Sequence, residues 1–171
     1  MKKCLSLVPI ILFFGFNIYA QANINVTVIV APVGAAITMN SYVWEISFPN
    51  DGTNSYQNDH QGTMTIKSGT SGHYRVDFTS QSSGYIKQGT YQIPYYIKAT
   101  QITGGDYKIV GTPAIIAGYV QLTNTQSIEF KKKTPKDGIQ FYTGIKIDPV
   151  SGQFYESGTY TDILTISFTA L

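Results

Sequence analysis

Apolar and polar residues alternate along most of this chain with a period of two. The clearest case is the last stretch, Gly158 to Leu171, which follows a turn signal at Glu156-Ser157-Gly158. Tyr160, Leu164, Ile166 and Phe168 fall on one parity, and Thr161, Ile163, Thr165, Ser167 and Thr169 on the other. Side chains on a strand point alternately to its two faces, so the stretch predicts one long strand with an apolar face. Asn23 to Ala31 repeats the pattern, with Ile24, Val26, Val28 and Val30 on one face and Asn25, Thr27 and Ile29 on the other. Three of the four apolar positions are β-branched valines, which suit a strand. Pro32 and Gly34 then break it.

The same reading predicts a short strand within Ala35 to Met39 and one carrying Tyr42, Trp44, Ile46 and Phe48. Pro49 to Gln61 is polar, contains the turn signal Asp51-Gly52, and reads as an exposed loop. Strands follow at Thr63–Lys67, His73–Thr79 and Thr90–Thr100; Pro94 predicts an edge or a bulge in the last of these. Further strands are expected at Tyr107–Val110, Ala114–Thr123, Ser127–Phe130 and Ile139–Asp148, the last interrupted by Gly144. No segment sustains a helical period over three turns. Eight to ten short strands separated by Gly, Asn, Ser and Pro turns indicate an all-β sandwich.

Composition agrees. Charged residues are 13% of the 171, aromatic residues another 13%, with 13 tyrosines. Met1-Lys2-Lys3, the apolar run Leu5–Phe16 and the small residues up to Ala22 read as a secretory leader, residues 1–22, cleaved after Ala20 or Ala22. The apolar run is short of the ~20 residues that span a bilayer. Loss of Lys2 and Lys3 with the leader takes the formal charge from +2 to zero. That near-neutral balance argues against nucleic acid as a partner. The single cysteine, Cys4, lies in the leader, so the mature chain carries no disulfide.

Catalytic chemistry has no foothold in the pattern. His60 and His73 show no metal-ligand spacing, the ten carboxylates are scattered, and nucleophile-elbow and phosphate-loop motifs are absent. No enzyme activity, metal or cofactor is expected. Asn25-Val26-Thr27 matches a glycosylation acceptor but sits inside the strand pattern. Lys131, Lys132, Lys133 and Lys136 read either as a solvated loop guarding a strand edge or as a contact for an anionic surface. The tyrosines and Trp44 read as core and sheet-surface residues, or as a stacking surface for sugars.

An alternating strand close behind the leader and another at the end of the sequence together resemble the subunits of chaperone–usher pili and the related secreted spore-coat-U-like domains. Ile24 to Pro32 resembles the donor strand of cysteine-free pilins. Ser157 to Asp162, followed by Leu164, Ile166 and Phe168, resembles their final strand, with Gly158 fourteenth from the end of the sequence. Ile93-Pro94-Tyr95 is similar to the Ile-Pro-Tyr stretch of spore-coat-U-like domains. Ala170 stands where many pilins have tyrosine, and the disulfide of many relatives is missing.

The resemblance implies an immunoglobulin-like sandwich over residues 35–171, incomplete by one strand, preceded by a donor extension over 23–34. It implies Ile24, Val26, Val28 and Val30 as donor residues, and Gly158, Tyr160, Leu164, Ile166 and Phe168 as the acceptor groove and chaperone-binding strand. The expected partners are a periplasmic chaperone, an outer-membrane usher and like or neighbouring subunits, with host or surface glycans for an adhesive member. The expected setting is the cell surface, reached through the periplasm, in a fimbria or coat-like fibre serving adhesion or biofilm formation. The alternative is that Asn23 to Ala31 is the first strand of a self-contained, glycan-binding sandwich.

Overall fold

A computed structural model describes residues 21–30, 37–49, 54–68, 72–102 and 108–171. Residues 1–20 of the expected leader, 31–34 of the expected extension and 35–36 of the expected sandwich lie outside them. Among the described residues there are eleven strands: β1 (Gln21–Val30), β2 (Ile37–Met39), β3 (Val43–Pro49), β4 (Tyr56–Ile66), β5 (Tyr74–Ser80), β6 (Tyr85–Gln88), β7 (Tyr91–Gln101), β8 (Val120–Gln121), β9 (Gln126–Phe130), β10 (Ile139–Ile147) and β11 (Gly158–Ala170). A single helical turn, α1 (Ala114–Ala117), precedes β8.

The strands form one curled sheet with two layers. One layer runs β3-β1-β11-β5-β9, the other β2-β4-β10-β7-β8. The strand β7 joins them. Its first residues, Tyr91 to Pro94, pair with β6 beside β11; Tyr95 to Gln101 pair with β10. Pro94 is therefore where the strand changes partners, a place where a residue without an N–H removes no hydrogen bond from a continuous ladder. The result is an all-β, sandwich-like fold, as the alternating pattern predicts.

The inward parities of both layers meet in one core. Trp44, Ile46 and Phe48 of β3, Val76 and Phe78 of β5, and Leu164 and Ile166 of β11 face Met64 and Ile66 of β4, Ile97 of β7, and Phe141 and Ile145 of β10. Tyr74, Phe130 and Phe168 stack at one end, with centroids 4.8 and 5.2 Å from Tyr74.

Four segments differ from the sequence-based expectation. Gln81–Gly89, which reads as a loop, carries β6, and in Tyr107–Val110 the described residues show only the isolated bridge of Ile109 to Phe130. Pro49–Gln61 is not a loop throughout: β4 begins at Tyr56, and Tyr56 to Asn58 pair with Ile147 to Ile145 of β10. Cross-strand pairing overrides the low strand propensity of Asn, Gln and Asp. Ala114–Thr123 is not one strand. Pro113 opens α1, whose N–H groups at Ile116 and Ala117 bond back to the Pro113 carbonyl, and only Val120–Gln121 is extended. A short apolar run has no period of its own to separate strand from helical turn.

Candidate functional site

The strand β1 lies between β3 and β11 and is paired along both edges. Against β11 it runs parallel, with Ile24 opposite Tyr160, Val26 opposite Asp162, Val28 opposite Leu164 and Val30 opposite Ile166. Against β3 it runs antiparallel, with Ile24 opposite Ile46 and Val26 opposite Trp44. Ala22, Ile24, Val26 and Val28 are at most 2% exposed. Three of the four expected donor side chains thus fill a groove of this same chain; for Val30 the backbone pairing alone is described.

The expected groove residues separate along β11. Gly158, Tyr160, Leu164 and Ile166 are all in register with β1. Phe168 lies beyond the ladder, half-buried and opposite Val76 of β5. Gly158 has a φ of +150°, and a Cβ there would overlap the Gln88 side-chain amide. The backbone conformation is what favours glycine here, since the Gln88 amide is the end of a flexible side chain and could move aside.

Asp162 is the residue that the sequence reading passed over. It shares the inward parity of Tyr160 and Leu164 and is buried. Its Oδ2 accepts hydrogen bonds from Ser80 Oγ and Tyr95 Oη, both at 2.6 Å, and its Oδ1 accepts the Ser82 N–H at 3.0 Å. Ser80 Oγ in turn accepts the Gly84 N–H at 2.7 Å. Burial, and then the Asp162 charge, pushes the Tyr95 hydroxyl far above the ordinary tyrosine range. The carboxylate ties β11 to the end of β5, the β5–β6 turn and β7. It fixes the groove wall from the side away from β1. The available signal was an Asp on the apolar parity of a strand, which needs a buried partner set.

On the solvent face, Asn23 and Asn25 of β1, Glu45 and Ser47 of β3 and Thr159 of β11 line an open cleft of about 430 Å³. The cleft spans the same three strands, so β1 supplies part of it.

A second feature sits on the outer face of the other layer. Between Thr143–Gly62 and Ile145–Asn58, Gly144 of β10 stands against three residues of β4, Asp59, His60 and Gln61. Such a bulge turns side chains out of the regular ladder. Asn58 Oδ1 accepts the His60 N–H, and Gln61 Oε1 accepts from Asn58 Nδ2 and Tyr56 Oη. The His60 ring stacks on Tyr142 at 3.8 Å. Tyr119 Oη donates to Asp59 Oδ1 at 2.6 Å, and Lys98 Nζ stands 5.8 Å from the Tyr119 ring. That hydrogen bond holds the Asp59 carboxyl below its usual range; burial and then Asp59 push the Tyr119 hydroxyl up. A Cβ at Gly144 would lie 2.8 Å from Tyr119 Oη and 3.2 Å from the Asn58 carbonyl oxygen, so only glycine lets Tyr119 cross the strand here.

His73, the other histidine, bonds Glu129 at 2.5 Å on the surface. Among the described residues no three His, Cys, Asp or Glu side chains gather as metal ligands, and no helix is long and apolar enough to cross a membrane. No family profile and no curated protein matches the chain.

Proposed function

We propose that this chain is a secreted structural subunit of a surface fimbria or coat-like fibre that polymerises by exchanging β1 between copies. The observation that carries the reading is the placement of β1. It is the first described strand, its apolar parity is buried, and both its edges are paired across a groove that the rest of the fold leaves for it. Without β1, the facing edges of β3 and β11 are open, and open edges pair with any suitable strand.

In the closed chain β1 occupies its own groove, and its tether gives it a high effective concentration there. Exchange therefore needs a protein that holds the groove open during export. A periplasmic chaperone and an outer-membrane usher are the partners of this reading. The product is a chain of subunits at the cell surface.

The mature sequence has no cysteine, so a lock can be engineered cleanly. Thr27 and Ile163 are direct partners across β1 and β11 on the solvent-facing parity. Adjacent strands bring Cα atoms within disulfide range. A Thr27→Cys/Ile163→Cys chain secreted from its native cell is expected to stay monomeric when oxidised. When kept reduced, it forms species that resist detergent until boiled. Equal polymer from the oxidised chain would defeat the proposal.

The bulge supports a second reading, a glycan-binding module. A stacked His60–Tyr142 pair offers a ring face to sugar C–H groups, and Asp59, Gln57 and Lys98 supply hydrogen bonds around it. Under this reading His60→Ala with Tyr142→Ala abolishes glycan-array signals of the monomer and leaves its melting temperature within a few degrees. Unchanged array binding by that double variant removes the reading.

A further inference from the structure

Both layers of the fold end, at the pole where β11 finishes, in a concentration of lysines that neither reading uses. The registers define this pole: Ala170 of β11 is opposite Tyr74, Tyr74 is opposite Phe130, and Ile139 is opposite Ile66. Lys67 follows β4, Lys131, Lys132, Lys133 and Lys136 lie in the β9–β10 connection, and Lys108 precedes the bridge of Ile109 to Phe130. These are six of the chain's twelve lysines and arginines.

Three separate segments bring them together. The Lys131 N–H bonds the Lys108 carbonyl at 3.0 Å, the Ser68 N–H bonds Thr134 Oγ1 at 2.8 Å, and the Lys67 Cγ lies 2.8 Å from the place a Cβ would occupy on Gly138. Among the described residues, Lys67, Lys131, Lys132, Lys133 and Lys136 are all exposed and form no ion pair with a carboxylate. Of the nearby carboxylates, Glu129 is engaged by His73, and Asp137 lies between Lys136 and Gly138 in the same connection. A lysine loop that only guards an edge needs one or two charges. Lysines drawn from three segments, with Asp137 the one exposed carboxylate among the described residues of the β9–β10 connection, make a predominantly positive field that extends over about 8–10 Å at physiological salt.

We infer that this pole is a docking surface for an acidic polysaccharide, a flexible polymer bearing carboxylate or sulfate groups. Charge complementarity is the first argument. The residue type is the second: lysine ammoniums are hydrated, mobile point charges, suited to a flexible polymer, whereas forked recognition of phosphate favours arginine. The third is what surrounds them. The described parts of these segments expose no aromatic ring for base stacking, and the exposed large apolar side chain at this pole is the single Leu171, too little for insertion in a membrane. The surface is independent of whether β1 is exchanged, and a fibre would repeat it once per subunit.

Binding of the whole mature chain to dextran sulfate, measured between 50 and 200 mM salt, tests the inference. Neutralising the charges of Lys67, Lys131, Lys132, Lys133 and Lys136 predicts a slope of log K against log salt of about −3.5 to −4.5, at 0.7–0.9 per lysine. Lys132→Gln/Lys133→Gln is expected to flatten the slope by about 1.5. The charge-matched Lys87→Gln/Lys146→Gln, away from the pole, is expected to leave it as in the parent chain. Equal losses in the two pairs would reduce the effect to net charge and overturn the site. Single-stranded DNA or anionic vesicles of phosphatidylglycerol and phosphatidylcholine binding as tightly as dextran sulfate would overturn the assignment to polysaccharide. Lys87, Lys132 and Lys133 are exposed and Lys146 is half-buried beside Asp148; coincident thermal melts verify the fold.

Discussion

A chain of residues 31–171, without Gln21–Val30, is expected not to fold cooperatively, and a peptide of those ten residues added in trans is expected to restore folding. Ile24, Val26 and Val28 are fully buried. At about 1.5–3 kcal/mol each, they contribute roughly 5–9 kcal/mol. That is comparable to the whole stability of an ordinary domain, about 5–15 kcal/mol. Deletion also strips hydrogen-bond partners from β3 and from the first nine residues of β11 at once. Near-UV circular dichroism and a thermal melt during peptide titration read the result. A peptide carrying Val26→Asp should fail, because it would place a second carboxylate beside Asp162 in the core. A truncated chain that melts like its parent would show that β1 is an accessory strand, and exchange would lose its basis.

The second large effect is at Asp162. Replacement by Ala leaves the Ser80 and Tyr95 hydroxyls and the Ser82 N–H without their acceptor. Each orphaned donor costs about 1–3 kcal/mol, and breaking a buried charged network costs about 3–5 kcal/mol. Chemical denaturation should report a loss in that range, with Asp162→Asn losing less because it keeps an acceptor oxygen. The same network sets an alkaline limit. Tyr95 ionises near pH 10 when unfolded, and its folded value is raised, first by burial. Its contribution is therefore complete below pH 10 and is lost as pH rises from there toward the folded value. Tyr95→Phe should cost about 1–2 kcal/mol at neutral pH and flatten the alkaline slope. An Asp162→Ala chain with parental stability would mean that water replaces the carboxylate without loss.

The two effects meet on one strand. Asp162 holds β11 from its β5–β6 edge, and β1 covers the other edge. If Asp162 is lost, the groove wall is loosened even with β1 in place. Peptide rescue of the truncated chain should then weaken as well, which couples the two variants rather than adding them.

Much of this arrangement is written locally. Strict alternation at Ile24–Val30 and Tyr160–Phe168 specifies two strands with one buried face each, because a one-residue slip would invert every side chain. Turn residues mark most of the breaks. Local pattern also misleads where tertiary contacts outweigh it. Polar Tyr56–Asn58 becomes a strand because β10 supplies its partners, and Ala114–Ala117 closes into a turn behind Pro113. Asp162 was hidden because alternation counts apolar residues, while the reason for a carboxylate among them lies about eighty residues away at Ser80 and Ser82, and at Tyr95.

Periodicity alone is enough to make the chain all-β, to put Ile24, Val26 and Val28 on one face, and to give β11 an apolar side. It carries no information on which edges meet, since every strand presents the same N–H and C=O ladder. The fold decides that β1 runs parallel to β11 and antiparallel to β3 within the same chain, that Phe168 stacks on Tyr74 beyond the end of β1, and that lysines from three segments gather at one pole. Those are matters of long-range pairing and desolvation, set by where whole strands pack rather than by what any one of them is made of.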